Sequence, residues 1–244
     1  MKTANVSSSP APFDRTREVP GPTNPLKILD SLAVVSTYRH GKEICGQGTL
    51  AENWFCVISG AARRYVIRLD GRRQIIDLLL PGDFFGFTAS PVCDFGVEAV
   101  NDGTIVASYS RRRAELLADS DPHLAREIRQ ATFEALSRLQ CQLLIVGRIT
   151  ALEKVGSFIL EMASRLPRGH HNSVALPVSR YDIADYLSVS VETVSRSLTD
   201  LKHRGVIKLS GTRTVEIINK EALEDGESLA CNSTQAGTRY RAVA

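Results

Sequence analysis

No run of apolar residues in this chain approaches the ~20 that a membrane-spanning helix needs, although 43% of its 244 residues are apolar. The opening stretch MKTANVSSSPAPFDR lacks the apolar core of a signal peptide, so a cytoplasmic protein is expected. Cysteine is scarce. Cys45, Cys56, Cys93, Cys141 and Cys231 are widely spaced, odd in number and form no Cys-x-x-Cys pair. That spacing argues against a disulfide framework or a tetrahedral metal site and for free thiols. No nucleophile–base pair, phosphate-cradling loop or metal-ligand spacing is present, so the sequence does not read as an enzyme. Excess charge is missing too: 30 basic residues against 27 acidic ones leave +3, a balance that names no partner. Only from Arg148 to Lys220 is there a local excess, 11 basic residues to 7 acidic.

What is present changes texture along the chain. Residues 1–25 hold five of the ten prolines with little periodicity, and disorder is expected there. From 26 to about 110, short apolar or alternating runs lie between turn signals. The clearest are 54–60, 62–69, 73–80 and 102–109, separated by Asp70-Gly71, Pro81-Gly82-Asp83 and Asn101-Asp102-Gly103. Strands of that length and spacing predict a small sandwich or barrel over 26–120. Asp121-Pro122 then pairs an N-cap with a first-turn proline. Apolar residues at Ile128, Ala131, Leu136, Leu139, Leu143 and Val146 predict a long helix over 121–148. Its stripe has two readings: packing on its own barrel, or a dimer seam through Ile128, Leu136, Leu139, Leu143 and Val146. The extra apolar residues Phe133, Leu144 and Ile145 suggest that it serves both.

Residues 149–220 read as a third unit. Thr150-Ala151-Leu152-Glu153 is a capping box that starts a helix stopped by Pro167 and Gly169. Val174–Val178 is a short strand. Ser179-Arg180-Tyr181-Asp182 starts another helix, Ser188-Val189-Ser190 breaks it, and a second helix runs from Val191 to about Arg204, with Gly205 beyond. Val206–Leu209 and Val215–Ile218 then alternate around Ser210-Gly211-Thr212-Arg213 as a hairpin. A short helix and a loose tail are expected over 221–244. Helix, three-residue turn, helix and hairpin is the winged helix–turn–helix order. Val191, Val194, Leu198 and Leu201 mark the buried side of the second helix, which leaves Glu192, Thr193, Ser195, Arg196 and Thr199 on the opposite face. Arg196 has the donors for guanine O6/N7, Glu192 can accept from a cytosine amino group, and Ser195 suits either. Ser190 with Thr193 suits a phosphate near the helix N-terminus. Glu192 and Arg196 also stand four apart, the spacing of an ordinary surface pair.

These residues carry a resemblance. YDIADYLSVSVETVSRSLTDLKHRGVIKL is similar to the helix–turn–helix of the CRP/FNR regulators, and Glu192-Thr193-Val194-Ser195-Arg196 to the core of its FNR branch. The resemblance covers about 26–220 and implies an α+β chain: an N-terminal cyclic-nucleotide-binding-like β-barrel (jelly roll), a long dimerisation helix and a C-terminal winged helix–turn–helix. It implies a homodimer that binds double-stranded DNA at a TTGAT-type palindrome. Glu192, Ser195 and Arg196 would read bases, and Ser179, Arg180, Ser190 and Thr193 would hold phosphates. Val191 stands where the cyclic-AMP branch has an arginine. The loop with Asp70, Arg72 and Arg73 occupies the place of an RNA polymerase contact in FNR-like proteins, or is simply a charged hairpin tip. Two departures bear on cofactors. Residues 1–44 contain no cysteine for an iron–sulfur cluster. Gly86 is followed by Phe87-Thr88 rather than an acidic residue, and no Lys or Arg occurs from Phe87 through Ser110. No cofactor is therefore expected, and the pattern resembles the FixK-like subgroup, which activates low-oxygen respiration and nitrogen-fixation genes. The alternative is a regulator of the same fold gated by haem or another small ligand in response to nitrosative or redox stress, with His40 and His123 as candidate haem ligands.

Overall fold

The computed structural model describes residues 27–167, 169 and 172–224. The expectations for 1–25, for the tail beyond Glu224 and for Cys231 lie outside these residues. After a 3₁₀ turn at Lys27–Leu32 come eight strands: β1 (Val34–Tyr38), β2 (Glu43–Cys45), β3 (Asn53–Ser59), β4 (Ala62–Ile67), β5 (Arg73–Leu79), β6 (Phe84–Phe85), β7 (Gly96–Ala99) and β8 (Thr104–Ser110). They form two four-stranded sheets, ordered β1-β8-β3-β6 and β2-β7-β4-β5. Every pairing in them is antiparallel. The four runs anticipated as strands correspond to β3, β4, β5 and β8.

β3 shows why the barrel is covered by helices. Side chains alternate across a strand. Phe55 and Val57 face inward onto Ala62, Leu79, Phe85, Val97 and Val106. Trp54 and Cys56 face outward, and they are buried as well, against Phe84, Ala107, Tyr109, Leu124 and Ala131. The covering helices are α1 (Arg111–Ser120) and α2 (Pro122–Val146). Gly60 closes the β3–β4 turn at φ +82°, where a Cβ would stand 2.9 Å from the Thr104 backbone, so only glycine fits. α1 was not anticipated from the sequence; it is a charged segment with only Ala114 fully buried. α2 begins as expected: Asp121 accepts from the amides of His123 (2.9 Å) and Leu124 (3.3 Å).

The C-terminal unit holds α3 (Ala151–Arg165), β9 (Ser173–Ala175), α4 (Arg180–Leu187), α5 (Val191–His203), β10 (Ile207–Ser210), β11 (Thr214–Ile217) and α6 (Glu221–Glu224). The strands form a three-stranded sheet in the order β10-β11-β9. Its core is continuous with the barrel: Ile75, Leu78, Leu80 and Val100 pack in one cluster with Phe158, Ile159, Ile183, Tyr186, Leu198 and Val215. The two units are therefore joined by a shared apolar core as well as by α2.

Candidate nucleic-acid interface

Local chemistry fixes α4 and α5. Ser179 and Asp182 form a reciprocal capping box on α4. Ser188 takes the left-handed conformation (φ 55°) that ends α4, and its backbone amide bonds to Ala184 O. Ser190 then caps α5, its hydroxyl accepting from Thr193 N at 3.1 Å, which is worth about 1 kcal/mol. Val194, Leu198 and Leu201 are all under 5% exposed, and burying each contributes roughly 1.5–3 kcal/mol. Those three residues set the roll of α5.

That roll leaves Glu192 and Arg196 exposed and Ser195 half-buried on the outer face. Ser195, Arg196, Thr199, Asp200 and His203 line a shallow concave strip along the helix. Glu192 and Arg196 form no ion pair with one another, whereas Asp200 and Arg204, one turn further on, do so at 2.8 Å. Glu192's carboxyl is held below its ordinary range by the backbone amide at the helix start, by the Ser190 hydroxyl and by Arg196's charge, so it is ionised. Arg180 Nη1 donates to Ser195 Oγ at 3.3 Å and ties the two helices together on this face. Ser190 and Thr193 share a hydroxyl contact of 2.9 Å at the α5 N-terminus. The β10–β11 turn, with Gly211, Thr212 and Arg213, is exposed beside α5. Ser179 is placed differently from its expected role. Its amide (3.0 Å) and hydroxyl (2.7 Å) both donate to Asp182 Oδ2, so a phosphate contact there requires breaking the cap.

α4 is clamped to the barrel by charges. Arg63 of β4 is 7% exposed; it donates to Glu98 of β7 at 2.6 Å and to Asp182 of α4. Arg73 donates to Glu98 (2.6 Å) and Asp185 (3.1 Å). Gln74 Nε2 donates to Asp185 O at 2.6 Å. This separates the residues of the charged hairpin. Asp70 and Arg72 pair with each other at an exposed tip (2.7 Å), while Arg73 turns into the domain interface. Sequence reasoning missed the Arg63–Asp182 and Arg73–Asp185 pairs, because the members of each lie more than a hundred residues apart along the chain.

On α2, the face away from the barrel carries Phe133 (57% exposed), Leu136 (50%), Leu143 (73%) and Leu144 (45%). Leu139 and Val146 flank it, half-buried. Ile128 is the exception among the expected seam residues: it packs inward against the cluster of Leu124, Trp54 and Ala131. Ile145 is also inward, at 7% exposure.

At the position where the nucleotide-binding branch carries an acidic residue, an aromatic ring stands instead, on the helix-covered side of the barrel wall. Phe87 packs edge-on to Trp54 with centroids 5.2 Å apart and lies 6.5 Å from Phe84. Gly86 sits at φ +91°, where a Cβ would be 2.9 Å from Asn53 O. His40 Nδ1 lies 3.2 Å from Val100 O, and His123 Nδ1 lies 3.6 Å from Glu127. Among the described residues, no three His, Cys, Asp or Glu groups cluster as a metal site, and no helix is long and apolar enough to cross a membrane. Cys45, Cys56 and Cys93 are free thiols.

A barrel, a long helix with an uncovered apolar face and a winged helix–turn–helix with an outward polar set define a DNA-binding transcription regulator. Comparison with known proteins agrees. Residues 35–121 match the cyclic nucleotide-binding domain, and residues 153–225 match the Crp-like helix-turn-helix domain. The nitrogen fixation regulation protein FixK of Rhizobium meliloti (strain 1021) is 38% identical over 190 residues, covering 78% of this chain and 85% of the relative. FixK of Azorhizobium caulinodans is 39% identical over 202 residues, covering 82% and 81%. The solved structure of FixK2 from Bradyrhizobium japonicum superposes with a TM-score of 0.75 at 38% identity, covering 81% of this chain and 98% of that one. The chain belongs to the CRP/FNR family of transcription regulators.

Proposed function

We propose that this regulator binds as a homodimer to a palindrome of TTGAT-type half-sites and activates genes of low-oxygen respiration and nitrogen fixation in the cytoplasm. The observation that carries this reading is the roll of α5. With Val194, Leu198 and Leu201 buried, Glu192, Ser195 and Arg196 face outward together near the helix N-terminus. That is the end a recognition helix presents to base edges. Arg196 donates to a guanine, Glu192 accepts from a cytosine, and Ser195 positions Arg180 or meets a base. Arg180, Ser190 and Thr193 hold phosphates, and Ser179 acts by holding the first turn of α4. The apolar face of α2, through Leu136, Leu139, Leu143 and Val146, forms the dimer seam. Asp70 and Arg72 remain presented for RNA polymerase.

The regulator works without a cofactor. Phe87 stands at the position where the nucleotide-binding branch would need an acidic group, and its ring packs against Trp54 and Phe84. Freshly purified protein should show no Soret band; a Soret band would overturn the cofactor-free reading. Binding-site selection from random DNA tests the main claim. Enrichment of inverted TTGAT-type repeats is expected, and enrichment of an unrelated sequence or of none refutes it.

A further inference from the structure

We propose that Cys45 and Cys93 are a peroxide-oxidisable dithiol whose reversible disulfide restrains the strand ladder that clamps α4. Cys45 ends β2, and Cys93 lies between β6 and β7. They are 48 residues apart in sequence, yet their sulfurs lie 2.8 Å apart. Backbone hydrogen bonds pin both sides of the pair. Gly48 N donates to Cys93 O and Cys93 N to Thr49 O, each at 2.8 Å, and Ala51 N donates to Pro91 O at 2.9 Å. Cys45 itself pairs with Val97 across β2 and β7. Closing the bond to about 2.05 Å needs less than an ångström of sulfur movement. The third free thiol, Cys56, is buried in a different cluster and does not compete.

Exposure divides the work. Cys45 is half-buried and reachable; Cys93, 9% exposed, waits behind it. Burial and the neighbouring thiol, with Glu43 adding to them, push Cys45 up to about 12, so Cys45 rests protonated and its oxidation quickens as pH rises. The oxidant is hydrogen peroxide. A thiolate attacks the O–O bond; an S–O bond forms, the O–O bond breaks, and the departing hydroxide takes a proton to become water. The second sulfur then attacks the sulfenic sulfur; the S–S bond forms, the S–O bond breaks, and a second water leaves. Two thiols lose two electrons and one peroxide becomes two waters. Thiol reductants reverse the bond, as suits a transient disulfide in a reducing compartment.

The pair is mechanically connected to α4. The β2–β7 ladder that holds Cys45 also sets Glu43 opposite Glu98. Glu98 receives both Arg63 and Arg73, which hold Asp182 and Asp185. A covalent staple at one end of the ladder therefore bears on the acceptor at the other.

The test treats full-length protein with hydrogen peroxide, blocks the remaining thiols and maps peptides by mass spectrometry without reductant. A Cys45–Cys93 crosslink that dithiothreitol reverses is expected, forming faster at higher pH. Peroxide that leaves both thiols open to alkylation, or oxidises each separately to sulfinic acid, overturns the site. Hydrogen exchange of the peptide spanning 180–187 reads the connection without any DNA, so it is independent of the proposed DNA site. Its rate should shift about 2- to 30-fold on oxidation of the wild type and stay unchanged in Cys93→Ser. A crosslink with unaltered exchange in α4 refutes the restraint.

Discussion

Arg165→Met tests whether the charges between the barrel and the C-terminal unit hold the two together. Arg165 Nη2 donates to Leu78 O (2.8 Å) and Asp83 Oδ2 (2.5 Å) on the barrel, and Nη1 donates to Glu161 (2.9 Å) on its own helix. The side chains are well covered: 14% exposed for Arg165, 16% for Asp83 and 10% for Glu161. Methionine keeps the apolar stem and removes the charge. Each charge-assisted hydrogen bond is worth roughly 1.5–3 kcal/mol. Releasing the guanidinium from its buried position returns part of that, so the net loss is about 3–5 kcal/mol, as for other broken buried pairs. Asp83 keeps Arg138 at 3.2 Å, whereas Glu161 loses its cation and keeps the Tyr186 hydroxyl at 3.0 Å.

The loss should depend on pH. Burial raises Glu161 above its ordinary value, against the pull of Arg165 and the Tyr186 hydroxyl. A carboxyl raised in the folded state favours folding at low pH, and that contribution is lost as pH rises through its folded value. Without Arg165 the rise is larger, so the penalty is greater at about pH 8 than at about pH 5, because proton uptake by Glu161 relieves it as pH falls. Urea unfolding midpoints at the two pH values measure it. Adding Glu161→Gln to the variant should recover about 1–2 kcal/mol at the higher pH. A loss below about 1 kcal/mol, or one equal at both pH values, would refute this account of the interface.

Three further outcomes follow from the same geometry. Leu143→Asp changes a side chain that is 73% exposed, so the fold should survive while sedimentation shows monomers; a persistent dimer would place the seam elsewhere. Ser190→Ala removes the α5 cap and should lower stability by about 1 kcal/mol, read by thermal unfolding, with DNA affinity falling as well. Glu192→Ala should relax one cytosine preference by about 1–3 kcal/mol in competition binding; unaltered selectivity would reduce Glu192 to a solvated helix residue.

Much of the fold was legible because local signals and burial agree. The Ser190 cap, the two capping boxes and the spacing of Val194, Leu198 and Leu201 place α5 and its outward face from sequence alone. What was not legible depends on partners far along the chain. Asp77 sits in the apolar run RQIIDLLL; its partners Arg64 (3.2 Å) and Arg138 (3.9 Å) come from β4 and α2. Arg73 read as part of a loop tip, and only the packing of α4 shows why it turns inward. Ile128 keeps helical spacing with the seam residues but lies on the barrel side of α2, a distinction that depends on the direction of the helix axis over the sheet. α1 carries three arginines and a single fully buried residue, too weak a stripe to register as a helix.

The most direct measurement is a binding cycle that pairs Arg196→Ala with a base change. Wild type and variant are titrated against a TTGAT-type palindrome and against the same duplex with the guanine replaced. Arg196→Ala should cost about 1–3 kcal/mol on the first duplex and almost nothing further on the second. Equal losses on both would contradict the account, because Arg196 would then be holding phosphate rather than reading a base.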